Sequence, residues 1–99
     1  MDEQEQERQQ DAPKLVTGIV PSLRADVLGA RAFGVSRSYF AKGIASGSVS
    51  IGGRPAGKSA TVDPGETVSA RELGSFELLS VDGTTKRGNF RVSLGVRRD

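Results

Sequence analysis

The chain has no cysteine, no histidine and no tryptophan, and among 99 residues only five aromatics, one of them tyrosine. Without cysteine, disulfides, thiolate catalysis and a cysteine-based zinc site are excluded. Without histidine, the commonest general base and the commonest metal ligand are missing together. No apolar run approaches the ~20 residues of a membrane-spanning helix, so no membrane partner is expected. The N-terminus is acidic and polar, unlike a secretory leader. The expectation is a soluble, cytoplasmic, non-enzymatic chain with one domain and a small core.

The charge that is present is unevenly spread. Residues 1–13 (MDEQEQERQQDAP) carry five acids and one arginine, and the remainder carries thirteen Lys/Arg against seven Asp/Glu. The first thirteen residues have almost no apolar content and read as a disordered acidic tail. A basic body behind such a tail points to a polyanionic partner.

Along the chain, KLVTGIV (14–20) suits a short strand, and Pro21-Ser22 offers a break and an N-cap. LRADVLGARAF (23–33) has helical spacing, with Leu23, Val27, Leu28 and Ala32 on one side, Arg24 and Arg31 on another, and Gly34 as its stop. Ser36 is placed to cap a second helix, RSYFAKGIAS, ended by Gly47. In it Phe40 and Ile44 face the core, while Ser38, Tyr39 and Lys42 lie on the other face. From Ser48 the period becomes two. SVSI, a primed turn at Gly52-Gly53, a turn at Asp63-Pro64-Gly65 and TVSA follow. The last third reads as a hairpin of FELLSV and NFRVSLGV turning at Asp82-Gly83.

GGRPAGKS, Gly52 to Ser59, matches the phosphate-loop pattern at Gly52, Gly57, Lys58 and Ser59. A working phosphate loop opens a helix whose N-terminus faces the phosphates. Here ATVDPGETV follows, with β-branched residues and then Pro64-Gly65, and Pro55 removes one N–H donor. A hairpin followed by a glycine connection with an exposed lysine is the better reading, and no nucleotide cofactor is expected.

One ordered set remains: Arg24-x-Asp26-x-Leu28, Gly34-Val35-Ser36-Arg37-Ser38, Ile44-x-x-Gly47-x-Val49-x-Ile51-x-Gly53, and Pro64-Gly65-Glu66-x-Val68. It resembles the RNA-binding domain named after ribosomal protein S-four, over about residues 22–70. The run at 74–92 is similar to the C-terminal part of YlmH-like proteins. Departures from the family pattern include Ala25 for leucine, Phe40 where alanine is common and Gly43 where leucine is common. Gly52 and Glu66 replace asparagine and aspartate. Phe40 is expected to compensate for the volume missing at Gly43.

The resemblance implies an α+β fold, two short helices packed on a small, mostly antiparallel sheet (the alpha-L motif), with a β-hairpin extension over 71–99. It also implies RNA held across the helix pair. Capped helix N-termini and the charges of Arg24, Arg37 and Lys42 suit phosphates, and the hydroxyls of Ser36 and Ser38 allow close approach. Arg54 and Lys58 extend the basic surface. Tyr39 is placed to stack on an unpaired base, and Lys86 and Arg87 mark the last turn.

The expected function is a non-catalytic module binding structured ribosomal RNA or tRNA, with the ribosome as a partner. The alternatives are an accessory domain of an RNA-modifying enzyme whose catalytic part lies elsewhere, or a protein-interaction domain.

Overall fold

Residues 12–99 are described by a computed structural model. The acidic tail expected over 1–13 therefore lies outside the described residues, apart from Ala12 and Pro13. The elements in order are β1 (Lys14–Val20), α1 (Ala25–Phe33), α2 (Arg37–Ala45), β2 (Val49–Ile51), β3 (Arg54–Pro55), β4 (Thr67–Ala70), β5 (Gly74–Thr84) and β6 (Phe90–Arg98). The six strands form one sheet, ordered β1-β6-β5-β4-β2-β3. Every neighbouring pair is antiparallel, so the expected α+β class is the observed one.

The sheet crosses the boundary that the family pattern suggests. β1 runs the length of β6, from Lys14 opposite Val96 to Val20 opposite Phe90. β4 pairs with β5 across position 70, from Thr67 opposite Glu77 to Ala70 opposite Gly74. The 22–70 motif and the 71–99 extension thus share one sheet and one core.

Both helices pack on one face of that sheet. Phe33 of α1 stacks on Phe40 of α2, with ring centroids 6.1 Å apart and 19° between planes, and meets Phe76 of β5 edge-on at 5.9 Å. Such pairs add about 0.5–1.5 kcal/mol beyond the area they bury. Leu28, Val62, Val68, Leu78 and Leu94 complete a core from which water is excluded. Gly29 lets the helices approach closely, because a Cβ there would overlap the Phe40 ring. Phe40 therefore fills the space over Gly29. It does not replace the volume missing at Gly43, as the sequence suggests, and that volume stays open.

Ser36 caps α2 as expected, its Oγ accepting the Tyr39 N–H at 3.0 Å. The start of α1 differs from expectation. Its N-cap is Arg24, with no side-chain cap, and Ser22 Oγ accepts only from the Arg24 N–H at 3.4 Å. The cause is a short extended pairing. Ala25 N–H donates to Ala60 O and Val62 N–H to Leu23 O, both at 2.9 Å, and hold Leu23 and Arg24 out of the helix. Arg24 and Arg31 consequently do not share a helix face, and Arg31 lies over Gly18 of β1 instead.

The final hairpin also turns later than expected. Register shifts after Leu78 and Val81 carry β5 through Asp82-Gly83 as far as Thr84. Asp82 does not sit in the turn; its carboxylate accepts the Ser80 and Ser93 hydroxyls at 2.8 and 2.9 Å. The turn is Thr85 to Asn89, closed by Thr85 N–H to Asn89 O at 2.8 Å, with Gly88 at φ 84°. Each bulge inserts one unpaired residue, which lengthens the strand beyond its alternating pattern.

Candidate nucleic-acid interface

Asp26 organises the helix-pair surface. It stands in the first turn of α1, is 5% exposed, and is the only buried charged residue among those described. Its Oδ1 accepts the Val27 N–H at 2.9 Å, satisfying one donor at the open helix start. Its two oxygens also hold two arginines. Arg24 Nε lies 3.2 Å from Oδ1 and its Nη2 3.3 Å from Oδ2, while Arg37 Nε lies 3.1 Å from Oδ2. Burial pushes the Asp26 carboxyl up. The hydrogen bond from Arg37, the charges of Arg37 and Arg24 and the Val27 N–H outweigh it, so the group sits below its ordinary value of 3.8.

Held this way, the arginines are positioned but not neutralised from outside. Their side chains remain 36% and 53% exposed. Arg37 engages Asp26 through Nε, which leaves the fork of its guanidinium toward solvent, a geometry suited to bidentate grip of an oxyanion.

The pairing of residues 23–25 with 60–62 brings the second half of GGRPAGKS to this point. Arg24 Nη2 reaches the Lys58 carbonyl at 3.5 Å, so the Lys58 backbone stands beside Arg24. Gly52 and Gly53, at φ 57° and 82°, make the hairpin turn between β2 and β3. After Ser59 the chain enters the bridge to Arg24 and then the Asp63–Glu66 turn, without a helix. The strand–loop–helix geometry of a phosphate loop is not formed.

The other sequence-selected residues divide by place. Ser36 and Ser38 stand at the start of α2 with their hydroxyls 3.3 Å apart, and the Ser36 oxygen is already engaged in capping. Tyr39, 56% exposed, and Lys42 follow on the open face of α2. Arg54 lies exposed on β3, and Lys86 and Arg87 lie exposed on the β5–β6 turn, outside the Asp26 cluster. Asp26 belongs to the Arg24-x-Asp26-x-Leu28 set, and the pattern alone assigns it no role. The signal was present, because Asp26 precedes Gly29 and Phe33 by three and seven residues on the buried side, where a charge demands a partner.

Among the described residues, no group of three or more Asp or Glu is arranged to hold a metal ion, and no helix is long and apolar enough to cross a membrane. No protein-family model matches the chain, and no curated protein matches it.

Proposed function

We propose that this chain is a non-catalytic, cytoplasmic RNA-binding module of the S-four type that grips structured ribosomal RNA or tRNA, at the ribosome, by its phosphate backbone. The observation that carries the reading is the Asp26 clamp: one buried carboxylate holds both Arg24 and Arg37, and the Lys58 backbone lies beside Arg24. Two guanidiniums fixed by a buried acid lose little rotamer freedom on binding, which favours an anionic partner with closely spaced charges. A backbone of regularly spaced phosphates meets that description, and the net positive charge of residues 14–99 steers it in.

The test is equilibrium binding of a fluorescent ribosomal RNA hairpin across a salt series. Affinity should fall at least ~10-fold between 50 and 200 mM salt, as expected when several phosphates are neutralised. Affinity that does not change with salt would sink the reading.

A second reading, protein interaction through the C-terminal hairpin and the β1 strand paired with it, has one observation in its favour. Leu15 (63% exposed), Ile19 (51%) and Leu79 (45%) are large apolar side chains left open to solvent. Leu15 faces Gly95 across the β1–β6 pair, and Leu79 covers the same glycine from β5. Stable co-purification of a protein after nuclease treatment, lost in Leu15→Ser, would favour this reading over RNA binding.

A further inference from the structure

We propose that the cleft between α2 and the β4–β5 turn receives one unpaired nucleotide of the bound RNA, its base against Tyr39 and its phosphate on Lys42 and Arg71. The inference rests on the RNA-binding reading and adds a site to it. The cleft is about 450 Å³, within the range of small-ligand sites, about 300–1,000 Å³. Its floor is apolar, from Phe40, Val49 and Leu73. Tyr39 stands at its lip, and Ser46 and Ser48 supply hydroxyls 3.0 Å apart.

Three features select a nucleotide over other occupants. The cleft exists because α2 has no side chain at Gly43. A Cβ there would touch only Val49 Cγ2, at 3.5 Å, so the space beside Gly43 is open to an incoming ring. Lys42 and Arg71 flank it, and among the described residues no carboxylate pairs with either. Glu72 is the one acid in the lining, so the rim is net positive and fits a monoanionic phosphodiester. Finally, Tyr39 is more than half exposed and stands in the first turn of α2, two residues after Arg37 and so on the opposite side of the helix from it. An RNA strand on the Asp26 clamp need only round the first turn of α2 to bring a base to Tyr39 and the cleft. Base-on-aromatic stacking then supplies affinity that phosphate contacts alone do not.

The experiment compares three RNA hairpins of equal length with the full chain: fully paired, carrying one bulged nucleotide, and carrying an abasic residue at the bulge. Tyr39 is the only tyrosine and there is no tryptophan, so intrinsic fluorescence reports on this one site. The bulged hairpin should bind roughly tenfold tighter than the other two and should alone quench Tyr39. Gly43→Leu, which fills the cleft, should lose that preference yet bind the paired hairpin as the wild type does. Tyr39→Ala should lose the preference as well, and Tyr39→Phe should keep it. The alanine change lies at an exposed position and serves even if Gly43→Leu fails to fold.

Salt-dependent binding of all three hairpins with equal affinity would overturn the nucleotide site and leave the RNA-binding reading standing. So would a Gly43→Leu protein that folds and still prefers the bulge. Binding of none of the hairpins at low salt would overturn both.

Discussion

The far edge of the Phe40 ring, on α2, occupies the space that a side chain at Gly29, on α1, would need. The ring cannot step aside, because Phe40 is 1% exposed and stacked on Phe33. Gly29→Ala gains about 1 kcal/mol of helix propensity. It must also force the helices apart, and overpacking a filled core costs about 1–3 kcal/mol. The steric effect wins, and urea unfolding should show a net loss of stability. A stabilised Gly29→Ala protein would mean that the helix pair is looser than this packing requires.

Gly43, also in a helix, should respond in the opposite direction. Its added methyl meets Val49 at ordinary contact distance and nothing closer. Gly43→Ala should therefore stabilise by about 0.5–1 kcal/mol, raising the thermal midpoint by several degrees for a domain of this size. A lower midpoint would show that the open space beside Gly43 is needed for the fold itself.

These two glycines show what was legible in the sequence and what was not. Helical spacing, the Ser36 cap and the alternation from Phe90 to Val96 depend on near neighbours, and they gave the helices and strands nearly as observed. Which glycine Phe40 packs against depends on how two helices cross, and no local pattern carries that. The Asp-Gly turn failed for the same reason. Asp82 finds partners on Ser80 and Ser93, and the latter becomes its neighbour only once β5 and β6 are paired. The basic site was legible as a set of residues. Its organising acid was legible only as a charge on an apolar face in need of partners; that Arg37 is one of them was not, because it lies eleven residues away on another helix.

Arg37 and Lys42 should separate binding from stability. Lys42 lies on the open face of α2 without an ion-pair partner among the described residues. Lys42→Ala should weaken RNA binding severalfold and leave the unfolding midpoint unchanged. Arg37→Ala should weaken binding more and also cost up to about 1 kcal/mol of stability, a modest figure because half of the side chain is in water. Arg37→Lys should not restore binding, since an ammonium cannot present a two-pronged donor to phosphate. Recovery of full affinity in Arg37→Lys would show that only the charge matters there.

Asp26 gives the pH dependence. Its carboxyl sits below the ordinary value of 3.8 in the folded state. A depressed acid contributes stability that is present above the unfolded value and is lost as pH falls through the folded one. Asp26→Asn removes the charge at every pH and leaves two guanidiniums facing an amide. At neutral pH it should cost about 1.5–3 kcal/mol, the range for hydrogen bonds to a charged group. Denaturant unfolding of both proteins should show that gap constant from pH 7 to about pH 5. Below about pH 4 the gap should close, as the wild-type carboxyl takes up its proton. RNA affinity at neutral pH should also fall in Asp26→Asn, although the substitution makes the surface more positive, because Arg24 and Arg37 are no longer aimed. Tighter binding by Asp26→Asn would mean that net charge, and not the positioning of the two arginines, governs recognition.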